Sequence, residues 1–102
     1  LKTPCQKSDT DSAWHLYVIQ LKDEFTHKRQ RIFEALRSAG IGVNLHYIPV
    51  HTQPYYQAMG FEVGKFNEAE RYYKKAISLP LFPAMSAQEQ ENVIDELHRQ
   101  LC

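Results

Sequence analysis

Two histidines and three tyrosines crowd into residues 40–56, GIGVNLHYIPVHTQPYY, with Asn44 and Gln53 among them and Pro49 and Pro54 interrupting the backbone. A packed core does not need that chemistry; a site that grips a polar ligand does. Imidazole titrates near neutrality and can donate, accept or shuttle a proton. His46 and His51 are separated by Pro49 and share no helical face, which leaves two readings open. Either both enter one polar pocket at the end of a strand, or each makes one local hydrogen bond to the loop backbone. A metal pair is disfavoured, because no carboxylate or Cys is near in sequence to complete a shell. Tyr47, Tyr55 and Tyr56 can offer hydroxyls to a sugar or phosphate, although packing with one wet end is the default for at least two of them. Gln53 and Asn44 can each donate and accept, and each also suits a turn. His15 reads as a satisfied core histidine, and Tyr72 and Tyr73 read as core.

The surrounding pattern must position these groups. Residues 1–12 are polar and read as a flexible linker, leaving 13–102 as the folded domain. Residues 13–21, AWHLYVIQL, are rich in aromatic and β-branched types and read as a strand covered on both faces. Thr26 is placed to cap a helix over 27–39, with Ile32, Phe33, Leu36 and Ala39 as its apolar stripe and Gly40 as a left-handed stop. Residues 41–48 alternate apolar and polar and read as a second strand ended by Pro49. A short helix starting near Pro54 follows. Asn67 and Glu70 have capping-box spacing for a helix to Lys75, with Ala69, Tyr72, Tyr73 and Ala76 facing inward. Residues 77–81, ISLPL, interrupted by Pro80, suit an edge strand or an extended crossing segment. Ser86 and Glu89 form a second capping box, opening a helix to about Gln100 with Val93, Ile94, Leu97 and Leu101 on one face. The order β-α-β-α-α-β-α gives an α+β class: a small sheet with helices packed on it.

Composition removes several functions. The chain has 102 residues, 12 Lys+Arg against 12 Asp+Glu, and no net formal charge. A neutral domain lacks the field that draws proteins to nucleic acid or anionic membrane. No apolar run approaches the ~20 residues that span a bilayer. Cys5 and Cys102, near opposite ends, read as two free thiols of a cytoplasmic protein, with one disulfide clasping the termini as the alternative. No G-x-S-x-G, H-E-x-x-H, Walker loop or lysine in an apolar context is present. Taken alone, the residues make half a site: polar contacts without a reactive centre.

The blocks G-I-x-x-x-x-H-Y-x-P-x-H at 40–51 and A-E…I-S-L-P-L-F-P-x-M-S at 69–86 resemble the C-terminal region of DegT/DnrJ/StrS-type sugar aminotransferases. HYIPVHTQPYYQAMGF is most similar to members that aminate C4 of a UDP-linked 4-keto-6-deoxy amino sugar in pseudaminic acid or spore-coat polysaccharide synthesis. The resemblance implies the small domain of a fold-type-I enzyme that uses pyridoxal 5'-phosphate. An N-terminal domain carrying the cofactor and Schiff-base lysine is then missing from this chain, and the complete enzyme is a homodimer. The fragment alone is expected to bind no cofactor and transfer no amino group. The resemblance places the 46–56 loop at the cleft: His51 near cofactor and sugar, then His46 with Tyr47, and Gln53 and Tyr55 toward sugar or nucleotide. Two other functions remain open: an autonomous sugar- or partner-binding module, and a family member acting as a sugar dehydratase or regulator.

Overall fold

The computed structural model describes all residues 1–102. Strand β1 (Tyr17–Gln20) is followed by a 3-10 segment, Asp23–Lys28, that leads into α1 (Arg29–Ser38). A 3-10 turn, Val50–Thr52, precedes the short α2 (Pro54–Ala58); then come α3 (Asn67–Lys75), β2 (Ala76–Leu79) and α4 (Ala87–Leu101). The two strands pair antiparallel, Tyr17 opposite Leu79 through Gln20 opposite Ala76. Single bridges extend the sheet on either side, Lys2 to Gln20 and Asn44 to Ser78. The fold is the expected α+β type, with α1 and α4 covering one face of the sheet.

The core lies between those layers. Ile19 and Leu21 from the first strand region, Ile77 from β2 and Val43 meet Ile32 and Leu36 of α1 and Val93 and Leu97 of α4. Each helix supplies its pair at i and i+4, the spacing that keeps two side chains on one face. Burying a side chain of this size contributes about 1.5–3 kcal/mol.

Helix ends follow the sequence closely at Gly40 and Ser86. Gly40 adopts φ +81°. The Ile41 N–H reaches the Leu36 carbonyl and the Gly40 N–H reaches that of Arg37, both at 3.0 Å. This crossed pair is a Schellman stop, and Gly60 at φ +93° closes α2 in the same way. Ser86 and Glu89 form the expected capping box, the Ser86 N–H donating to the Glu89 carboxylate at 2.7 Å.

Other expectations need correction. The first strand starts at Tyr17, not Ala13, because Trp14 takes φ +45° and turns the chain. Only its Ile19 and Leu21 side is sealed, and His15 is exposed. Thr26 does not cap α1: its hydroxyl bonds back to the Lys22 carbonyl, and the residues around it form the 3-10 segment. Residues 41–48 form no strand beyond the Asn44 bridge. The Val43 N–H bonds the Ile41 carbonyl two residues back, and the Asn44 side chain takes the Leu45 N–H, so the backbone turns away from the ladder. Asn67 does not cap α3; Phe66 holds that position without a side-chain bond. Of the expected inner face, Ala69 and Tyr72 are exposed and Tyr73 is half-buried under the Arg29 guanidinium, whereas Ala76 is buried just past the helix as the first residue of β2. Ile94 is exposed beside its buried neighbours. Strand β2 is the expected edge strand of this two-stranded sheet, its outer side touched only by the single Asn44 bridge.

Candidate functional site

The 40–56 segment leaves the Schellman stop, touches the sheet at Asn44, and runs out along the end of β2. Asn44 exchanges both backbone bonds with Ser78, at 3.0 and 2.8 Å. That contact sets Ser78 beside His46, whose Nδ1 meets the Ser78 hydroxyl at 2.7 Å. Tyr47 stands edge-on to the His46 ring, with ring centroids 4.6 Å apart, and is 72% exposed. The His46–Tyr47 peptide is cis.

Pro49 is buried, and its carbonyl accepts from both the N–H and the hydroxyl of Thr52, winding the 3-10 turn that carries His51. His51 is only 7% exposed. Its Nε2 lies 2.7 Å from Oε1 of Glu70. The same oxygen accepts the Gly64 N–H at 2.6 Å. The hydrogen bond from His51, then that from Gly64, holds the Glu70 carboxyl below its ordinary value. Phe66 packs on the imidazole at 4.8 Å. From there a run of rings continues through Phe61 and Tyr56 to Tyr55. Pro54 opens α2, where its missing N–H costs nothing, and this places Tyr55 on the outside, 71% exposed.

The six candidate residues therefore fall into two groups. His46, Tyr47 and Asn44 gather at the end of β2, held by Ser78. His51, Gln53 and Tyr55 belong to the turn and short helix, held by Glu70 and the aromatic run. No hydrogen bond or ring contact joins the two groups. The phenols of Tyr47 and Tyr55 and the Gln53 amide have no hydrogen-bond partner in the chain and are free for a ligand. Hollows of about 490 and 470 Å³ lie elsewhere, one lined by Lys2, Lys22, Asp23, Glu24 and Lys75, the other an apolar groove of Tyr17, Leu79, Leu81, Phe82, Val93 and Ile94.

Sequence reasoning missed two residues of this site. The spacing of Asn67 and Glu70 suggests a capping box, whereas Glu70 reaches back to His51 across 19 positions. A carboxylate is thus near His51 after all, brought there by the fold. Ser78 lies within the apolar run of β2, and a lone buried hydroxyl in such a run must find a partner. That was the available signal.

The profile of the DegT/DnrJ/EryC1/StrS aminotransferase family matches residues 1–98. This chain belongs to that family. Among family relatives, the spore coat polysaccharide biosynthesis protein SpsC of Bacillus subtilis is 41% identical over 98 residues, covering 93% of this chain and 25% of its own length. The UDP-4-amino-4,6-dideoxy-N-acetyl-beta-L-altrosamine transaminase of Campylobacter jejuni is 36% identical over 86 residues, 84% of this chain and 23% of that protein. Spr1654 of Streptococcus pneumoniae, solved in its PMP form, superposes with a TM-score of 0.88 at 27% identity, covering 96% of this chain and 25% of that one. The chain spans about a quarter of the length of the relatives it matches.

The family cofactor does not fit the residues present here. None of the seven lysines is buried as a Schiff-base lysine must be, and Lys75 is ion-paired to Asp23. Glu70, the carboxylate bonded to the loop, is engaged by His51 and Gly64 and is not free to pair a pyridine nitrogen.

Proposed function

We propose that this chain is the substrate-side small domain of a pyridoxal-phosphate-dependent aminotransferase. The enzyme transfers an amino group to a nucleotide-linked 4-keto-6-deoxy sugar in surface or capsule polysaccharide biosynthesis. The observation that carries it is the 36% identity to a UDP-amino-sugar transaminase across 84% of this chain, a stretch long enough to span the candidate loop. The similarity to SpsC supports the polysaccharide setting.

In this proposal the cofactor and its lysine belong to a separate large domain, and the enzyme works in the cytoplasm as a homodimer. When bound, the cofactor supplies the electron sink for amino transfer. The present residues bind and orient. Tyr47 and Tyr55 offer phenols, and Gln53 and Asn44 offer amides, to the hydroxyls and carbonyls of the sugar and nucleotide. His46 and His51 supply imidazoles whose rings are already fixed, so little ordering entropy is lost on binding. The apolar groove between β2 and α4 is where the large domain packs. These 102 residues alone transfer no amino group.

The full polypeptide carrying this chain should aminate a UDP-linked 4-keto-6-deoxy N-acetylhexosamine when given an amino-acid donor and pyridoxal phosphate. Transfer is read by mass spectrometry of the sugar nucleotide. No transfer with that sugar or its relatives, or release of a dehydrated sugar in place of an amino sugar, overturns the assignment.

A further inference from the structure

Glu70 is the only charged side chain bonded to a candidate residue of the 40–56 loop. Its carboxylate oxygens are acceptors only, so the hydrogen between Oε1 and Nε2 belongs to His51. The Gly64 N–H on the same oxygen and the Phe66 ring against the imidazole prevent either partner from swinging away. The Glu70 side chain is 12% exposed, so the bond is largely shielded from water. The other ring nitrogen, Nδ1, has no hydrogen-bond partner in the chain. No buried side-chain nitrogen or oxygen is left unpartnered, so Nδ1 reaches the surface.

We propose that Glu70 is a positioning residue, locking His51 in the Nε2–H tautomer and presenting Nδ1 as a hydrogen acceptor to the bound nucleotide sugar. This rests on the proposed function and narrows it. A bare ring lone pair accepts from a sugar hydroxyl or amide N–H and is repelled by a phosphate oxygen. Of the two groups expected near His51, the sugar is therefore its contact. If the ligand gives up a proton to this ring, the proton goes to Nδ1, and the carboxylate then faces an imidazolium, as the third member of a triad does.

Glu70 also ties the Val50–Thr52 turn to α3, so lost stability alone does not test the idea. Nitrogen-15 spectra of histidine-labelled full polypeptide, at about pH 8 where free imidazole is neutral, read the tautomer directly. His51 is expected with Nε2 protonated and Nδ1 bare; a protonated Nδ1, or an even mixture, overturns the proposal. In the same enzyme, Glu70→Gln should lower kcat/KM by about ten- to a hundredfold, the size of one charge-assisted hydrogen bond. Its melting transition should remain cooperative, and Glu70→Gln combined with His51→Ala should lose no more than His51→Ala alone. Wild-type kcat/KM in Glu70→Gln, or additive losses in the double variant, contradicts it. Should Glu70→Gln fail to fold, the wild-type tautomer decides. If the wild-type enzyme aminates no nucleotide sugar, the assigned reaction fails while the tautomer result still stands.

Discussion

Two side chains outside the loop fix its two histidines, and they do so by different means. Glu70 uses charge. Its folded pKa lies below the ordinary 4.5, so the stabilisation it gives is complete above that value and is lost as pH falls through the depressed folded value. The urea midpoint of the wild type should therefore drop more steeply than that of Glu70→Gln as pH falls below about 4.5. Parallel curves would show that the carboxylate is not linked to folding. Ser78 uses a neutral hydroxyl. Ser78→Ala leaves His46 Nδ1 without its partner beside a buried strand, at a cost of about 1–2 kcal/mol by urea unfolding. A change under ~0.3 kcal/mol would place that hydrogen bond among the dispensable ones. The histidines and tyrosines were legible from residue type and spacing alone. Their partners were not, because side chains 19 and 32 positions away leave no local periodicity. Glu70 was hidden further by Asn67 three residues earlier, a spacing that imitates a cap.

At the scale of elements, legibility tracked how local the physics is. The Gly40 stop and the Ser86 capping box each involve bonds within five residues, and both are present as the sequence implied. The 41–48 strand was inferred from alternation, yet alternation states only that a segment could pair. The Asn44 side chain captures the next N–H and ends the ladder after one bridge. Helix α3 was given an apolar inner face on spacing, but it is held by Glu70, by Lys75 on Asp23 and by Arg29 over Tyr73. These contacts are tertiary and polar, and spacing does not encode them. The two termini can be compared by substitution. Nothing lies within 4 Å of a Cβ at Gly40, so Gly40→Ala meets only the left-handed strain of φ +81°, about 1–2 kcal/mol. Ser86→Ala removes the cap of α4 and should cost about 1 kcal/mol. The two sites touch different helices, so thermal unfolding of the double variant should show the sum; a large departure from additivity would mean that α1 and α4 do not report on one cooperative core.

Across the whole molecule, the radius of gyration is 15.5 Å, against about 13 Å for a compact chain of this length. Only 13 of 102 residues are buried, and large apolar side chains stay open along the 47–66 loop and the groove beside α4. A chain that leaves this much apolar surface bare offers faces for packing, which suits a small domain that leans on a larger one. No helix is long and apolar enough to cross a membrane. Under the proposed function, the bend from Asn44 to Tyr55 closes over the sugar nucleotide. Amide hydrogen exchange of the full polypeptide, with and without a UDP-linked amino sugar, addresses this most directly. The expected result is slowed exchange across residues 44–56, with Lys7 to Ser12 unchanged. Saturated binding with no protection anywhere in 44–56 would contradict it.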